Sequence, residues 1–297
     1  MAKEVYQGGY FLSHFSDLLR ILAERTGRGD EFIAVQDELL NEIGDKASHE
    51  AQVLLQCKIA FYRNTDQPGK AAEIVESNLQ IEAFRKEAVE RRIALGKYAE
   101  AKALIAEIWE KYQDYRRRPW DKLLLTIAQK ENDIPAIRRI AGEFIAGRFD
   151  RDYYDIYKSA FSPEEWKTEV EKLLDRYRKD TRELRWETDS VAEVLAAEQK
   201  TERLLRHVGQ HLSAEKIAHY HERFAKRFPA ETLALFEKAI DKYAEENLGC
   251  SSYEYVAKLL QQMRKIEGGG AIVAKMLARY RTQYKRRRAM IETLNRL

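Results

Sequence analysis

The chain has 297 residues, enough for two ordinary domains or for one elongated array whose core is renewed at every repeat. Its formal charge of +3, the difference between 52 basic and 49 acidic side chains, excludes a global field drawing the whole molecule to nucleic acid or anionic lipid, so any such binding is local. A hydrophobic content of 44% excludes wholesale disorder.

Cys57 and Cys250 form no CxxC and lie far apart, which argues against a disulfide framework or a structural zinc site and predicts two buried thiols in a reducing compartment. The first thirty residues carry Asp17, Glu24 and Asp30 and no long apolar segment, and nowhere do eighteen consecutive apolar residues occur. A cytoplasmic chain without signal peptide or membrane span is expected.

Five prolines and fourteen glycines are few for this length, and the abundant Ala, Leu, Glu, Lys and Arg lose little side-chain entropy in a helix. No stretch alternates with period two among β-branched residues, so no sheet is expected. Pro68, Pro119, Pro135 and Pro229 mark helix starts. From Lys97 to Tyr112, the residues Ala101, Leu104, Ile105, Ile108 and Tyr112 draw one apolar stripe down a helix. The turn that leads into it, Leu95-Gly96-Lys97-Tyr98-Ala99-Glu100-Ala101, is echoed by Glu131-Asn132-Asp133-Ile134-Pro135-Ala136. Ser162-Pro163-Glu164-Glu165 reads as a capping box with proline at the first helical position. The charged run from Leu174 to Glu187 predicts a solvated bridging helix, with a boundary between sub-arrays near Thr181. Ser251-Ser252-Tyr253-Glu254 reads as a second capping box before the stripe Val256, Leu259, Leu260 and Met263. Gly268-Gly269-Gly270 breaks the chain in an exposed loop, after which Val273, Met276, Leu277, Tyr280 and Tyr284 form the last stripe.

These signals predict an all-α fold of about sixteen antiparallel helices joined by short turns, an α-α superhelix of the tetratricopeptide or HEAT kind. Two arrays are expected, 1–180 and 181–297, running as one continuous superhelix. The turn from Leu95 to Ala101 resembles the tetratricopeptide loop Leu-Gly-x-Tyr-x-x-Ala, without the Trp-Leu-Gly signature of that repeat's first helix. A longer likeness starts at Tyr153-Tyr154 and Ser162-Pro163-Glu164-Glu165-Trp166. It continues through Phe228-Pro229-Ala230-Glu231 and Tyr253-x-x-Val256-Ala257-x-Leu259-Leu260 to Tyr284-Lys285-Arg286-Arg287-Arg288-Ala289. This half of the chain resembles the helical region that follows the zinc finger in bacterial SWIM zinc-finger proteins. The zinc motif itself, CxC followed by CxH, is absent, so the family's metal and nucleic-acid contact do not carry over, and the resemblance implies a helical interaction array.

Chemistry-bearing patterns are sparse. His207 and His211 stand four apart, the spacing that lets two imidazoles meet one metal, and His219 or His221 are the available third ligands. Val208 stands where a hydrolytic motif needs glutamate. There is no G-x-S-x-G elbow and no P-loop, since Gly268-Gly269-Gly270 is not followed by Gly-Lys-Ser/Thr. The expected function is a non-catalytic scaffold without cofactor that receives a protein or peptide partner on a concave helical surface. Tyr153, Tyr154 and Tyr157, with Arg116, Arg117, Arg118, Arg286, Arg287 and Arg288, are its candidate binding residues. The alternative is a nucleic-acid-associated adaptor, in which Arg116-Arg117-Arg118 beside Trp120 and Lys285-Arg286-Arg287-Arg288 beside Tyr280 and Tyr284 clamp phosphates and stack bases. The plainer account of both clusters is cations at a helix C-terminus.

Overall fold

The computed structural model describes residues 9–45, 48–109, 114–179 and 189–297, with backbone alone at 9–11 and 114–116. Seventeen α-helices and no strand occur among the described residues. The first are α1 (Gly9–Thr26), α2 (Gly29–Ile43), α3 (His49–Asn64), α4 (Pro68–Glu76), α5 (Glu82–Ala94), α6 (Tyr98–Trp109), α7 (Asp114–Glu131) and α8 (Ile134–Phe144). There follow α9 (Arg151–Ser159), α10 (Pro163–Lys179), α11 (Ser190–Ala197), α12 (Thr201–Gln210), α13 (Ala214–Tyr220), α14 (Pro229–Glu246), α15 (Cys250–Arg264), α16 (Gly269–Gln283) and α17 (Arg288–Leu294). The chain divides into two units, Met1–Ile140 and Ala141–Leu297. Thr181, where the sequence places a boundary, lies outside the described residues, as does Tyr112.

One way of ending a helix recurs. Asp66, Gly96, Asn132 and Gln199 take φ of 57°, 72°, 54° and 53° after α3, α5, α7 and α11. In each case the next N–H reaches back five residues, from Gln67 to the Tyr62 carbonyl (2.7 Å), Lys97 to Arg92 (2.8 Å), Asp133 to Ala128 (2.9 Å) and Lys200 to Leu195 (2.9 Å). These are Schellman closures, in which one left-handed residue turns the chain and satisfies carbonyls the helix leaves open. The next helix begins at once, giving the hairpins α3/α4, α5/α6 and α11/α12 and the short turn from α7 into α8. The echo between the Gly96 and Asn132 turns is therefore real in geometry, although the sequences share little. Ser162 forms the expected capping box: its N–H donates to Glu165 Oε2 (2.9 Å), and the Glu165 N–H donates back to Ser162 Oγ (3.2 Å).

Four local expectations are corrected. Pro119 lies inside α7 rather than at its start: the helix begins five residues earlier, so the missing N–H falls beyond the first turn and leaves one helical carbonyl without its donor. The Ser251 box does not form: Gly249, at φ 104°, precedes α15, and both serines fall in the first turn. Of the three glycines at 268–270 only Gly268 belongs to the turn, while Gly269 is buried in the first turn of α16. Cys57 is buried as expected, but Cys250 is exposed at the start of α15.

Each unit is packed by helices near one another in sequence. In the first, α1, α2 and α3 pack mutually, and α3 to α4, α4 to α5, α5 to α6 and α6 to α7 follow in turn, with α5 also against α7. Leu55, Val75, Phe84, Val89, Ile105, Trp120 and Ile127 make one continuous core there. In the second, consecutive helices from α10 to α17 are in contact, α17 packs on α15 as well as on α16, and α13 meets α15 as α14 meets α16. The predicted stripes supply this core, since Val256, Leu260, Met263, Val273, Met276 and Tyr280 are all buried. Buried tyrosines tie helices across it by donating to carboxylates: Tyr154 to Glu198 (2.8 Å), Tyr157 to Glu169 (2.8 Å), Tyr220 to Glu193 (2.7 Å) and Tyr280 to Asp241 (2.5 Å).

Candidate functional site

In the second unit the densest polar constellation is centred on Asp189, the N-cap of α11. Its Oδ1 accepts from the Ala192 N–H (3.1 Å), its two oxygens lie 2.9 and 2.8 Å from His207 Nε2, and Lys216 Nζ donates to Oδ2 at 2.7 Å. One carboxylate thus joins the start of α11 to α12 and α13. Its side chain is only 13% exposed. Burial on its own raises the carboxyl's pKa, but hydrogen bonds from His207 and Lys216 outweigh it and hold the group well below the usual carboxylate range. The His207 and His211 rings stand 5.0 Å apart and tilted, and burial, followed by the neighbouring His207 and Lys216, lowers the pKa of His211. Among the described residues no three His, Cys, Asp or Glu side chains are grouped to hold a metal. Sequence reasoning singled out His207 and missed Asp189. The available signal was an aspartate just before the apolar run Val191, Ala192, Val194 and Leu195, which is an N-cap signature.

The aromatic and basic candidates are dispersed. Tyr154 and Tyr157 are buried, with Trp166 edge-on to both rings at 5.5 and 6.0 Å, and Tyr153 is half-buried, stacked on Phe144 at 4.1 Å. Arg116 carries no described side chain. Arg117 lies over the Trp109 ring at 5.4 Å and Arg118 is exposed, both in the opening turns of α7 rather than at a helix C-terminus. Arg287 packs over Tyr284 at 4.5 Å and donates to the Ala244 carbonyl at 2.5 Å, so it caps the C-terminal end of α14. Lys285, Arg286 and Arg288 are exposed beside it, whereas Tyr280 and Tyr284 are buried.

The first unit contains a pocket of about 310 Å³ between the turn joining α1 to α2 and the turn joining α3 to α4. Glu24, Asp30, Phe61, Tyr62, Gln67 and Lys70 are among its lining residues. Gly29 shapes one wall: a Cβ there would stand 2.5 Å from Phe61 Cζ, so only glycine lets that ring pack under the first turn of α2. Lys70 lies over the Tyr62 ring at 5.3 Å. Glu24 is occupied by Arg20 (2.7 Å) and Asn64 (3.0 Å), whereas Asp30 and Lys70 take part in no ion pair among the described residues. The N-caps of α2 and α4, Arg28 and Gln67, make no side-chain cap, so first-turn N–H groups at this end keep their hydrogen-bonding capacity. The arrangement offers a ring, one charge of each sign and backbone donors.

Compared with protein-family models, curated proteins and solved structures, the chain matches none. Among the described residues no helix is long and apolar enough to cross a membrane.

Proposed function

We propose that the chain is a cytoplasmic, non-catalytic interaction scaffold, a superhelix of the tetratricopeptide or HEAT kind that receives a peptide segment of a partner protein. Its regularity supports this reading, since the left-handed turns at Asp66, Gly96 and Asn132 fall 30 and 36 residues apart, and the first two open the hairpins α3/α4 and α5/α6, which meet their sequence neighbours. The likeness of residues 153–297 to the helical region of SWIM zinc-finger proteins points the same way. The observation that carries the proposal is the pocket beside Tyr62, where Asp30 and Lys70 make no ion pair among the described residues and the N-termini of α2 and α4 lack a side-chain cap. A peptide supplies the matching set: carbonyl oxygens for the N–H groups, side chains for the ring, and charges for Asp30 and Lys70.

Selection from a random-peptide display library tests it. Peptides enriched on the wild-type chain should bind Tyr62→Ala about 30-fold more weakly, the loss typical of a central aromatic anchor, and Lys70→Glu should shift the enriched sequences from acidic to basic. Enrichment indifferent to both substitutions would place recognition elsewhere.

A second reading, a nucleic-acid-associated adaptor, is favoured by one observation: Lys285, Arg286 and Arg288 are exposed and outside any ion pair among the described residues. With Tyr280 and Tyr284 buried, this reading is confined to phosphate contacts and loses base stacking. It predicts binding to a DNA or RNA duplex whose log K falls with log salt at a slope of about −3, with each of the three cations removed reducing that slope by about one. Fluorescence anisotropy at several salt concentrations measures it, and an unchanged slope in the triple alanine variant discards it.

A further inference from the structure

The first helix has two apolar faces and uses one. Leu12, Ser16 and Ala23 are buried, with Leu19 half-buried, on the side where α1 packs on α2 and α3. On the opposite side Phe15, Leu18 and Leu22 follow at i, i+3 and i+7 and are 46%, 60% and 57% exposed, with Ile21 beside them at 38%. Of the eight large apolar side chains exposed among the described residues, these four lie on this one helix, and a fifth, Val35, lies on α2. Isolated exposed apolar side chains need no explanation, but a continuous ridge of them marks a surface that is covered in the working state.

The charges along the ridge indicate what covers it. Arg20 is engaged by Glu24 (2.7 Å) and Asp17 (3.4 Å). Arg25, one turn beyond Leu22 on the same stripe, is exposed and has no ion-pair partner among the described residues. Asp17, 52% exposed, accepts only long contacts, from Arg20 at 3.4 Å and from the Cys57 thiol at 4.0 Å. The helix therefore presents an acid near one end of the ridge and a base at the other. A second copy of α1 laid parallel and in register sets Arg25 against Arg25 and Asp17 against Asp17, which is repulsive. Laid antiparallel about a two-fold axis at the level of Arg20, it sets Leu18 against Leu22 of the second copy twice over and Phe15 against Arg25 at both ends. Asp17 then falls within about 3 Å along the axis of the second copy's Arg25. Apolar and charged positions are satisfied together only in the antiparallel arrangement, and a surface that is its own complement closes as a two-fold dimer.

We infer that this ridge is the interface of a homodimer, formed by antiparallel pairing of α1 with a second copy of the chain. The inference does not depend on the pocket beside Tyr62 or on its ligand. A single helix pair lies at the small end of protein interfaces, so dissociation on the order of 10 μM is expected.

Sedimentation velocity from about 1 to about 200 μM reads the monomer–dimer equilibrium. The wild-type chain should pass from monomer to dimer across that range. Leu18→Glu alone and Leu22→Lys alone should each remain monomeric throughout, with unchanged circular dichroism because both positions are exposed. The double variant L18E/L22K should dimerise again, since in the antiparallel register each new carboxylate meets a new ammonium of the second copy. A wild-type chain that stays monomeric at the highest concentration overturns the inference, whether or not it binds lipid vesicles or a heterologous helix. So does a double variant as monomeric as the single ones.

Discussion

Replacing Gly269 with alanine should cost the second unit about 3 kcal/mol, at the upper end of what a single forced methyl does to a packed core. The Cβ would stand 2.0 Å from the Met263 carbonyl oxygen and 3.0 Å from its carbon, with Leu233 Cδ2 at 3.2 Å on the other side. Leu233 can swing away. The Met263 carbonyl cannot, because it belongs to the last turn of α15 and accepts the Ile266 N–H at 3.1 Å, a bond that shapes the turn into α16. Relief therefore requires α16 to move off α15, which opens the contacts of Val273, Met276 and Tyr280 with the core. The neighbouring Gly270 is the control: its Cβ would meet nothing within 4 Å, and alanine in the first turn of a helix should be neutral or stabilising by about 0.5 kcal/mol. Hydrogen exchange of the α15 and α16 amides reads both, since the two units need not unfold together. Equal protection in the two alanine variants would mean that the approach of Gly269 to Met263 is not what positions α16.

That glycine illustrates how far the sequence could be read. Three consecutive glycines announce a helix break, but they do not say which one is there for its backbone angle and which for its missing side chain. Gly268, at φ 79°, serves the first purpose and Gly269 the second. The apolar stripes of α6, α15 and α16 were legible because a helix repeats its inward face every three or four residues, a purely local property. The Ser162 box was legible for the same reason. The Ser251 box was not, because S-x-x-E is satisfied at several registers and the open angle of Gly249 moved the start of α15 upstream. Tyr154 and Tyr157 show the limit for candidate sites. Aromatic residues in a row suit a groove and a core equally, and their burial follows from Phe149, Phe161 and Trp166, which arrive from outside α9. The pocket beside Tyr62 is assembled by two separate turns, so no single stretch of sequence announces it.

Asp189→Ala should be the most damaging substitution among the polar residues, destabilising the second unit by about 3–5 kcal/mol. It removes a cap from α11, leaves the Ala192 N–H without its acceptor, and strips Lys216 and His207 of the carboxylate they share. Asp189→Asn separates these contributions: its side-chain oxygen still caps α11, while the charge facing Lys216 and His207 is gone, so it should recover about 1 kcal/mol, the worth of one cap. The pH dependence carries the same signature. Because the folded-state pKa of Asp189 is depressed, its ionised form contributes stability that is fully present above the ordinary carboxylate value near 4 and is lost as pH falls through the folded value. Glu171, lowered to about 2 by its hydrogen bond from Arg203 and by Lys200, adds to this acid limb in the same direction. His211 acts at higher pH. Its folded pKa lies below the ordinary imidazole value near 6.5, so the folded chain binds fewer protons there than the unfolded chain, and stability declines as pH falls below that value. Urea unfolding of the second unit, followed through Trp166, should therefore show stability falling in two stages on acidification, first below the ordinary imidazole value and then below the ordinary carboxylate value. In Asp189→Ala the lower stage should shrink to the part supplied by Glu171 and by Glu198, whose carboxyl is also held below its ordinary range. A variant whose acid limb matches the wild type would show that Asp189 is not the group joining α11, α12 and α13, and that the three helices are held by their apolar contacts alone.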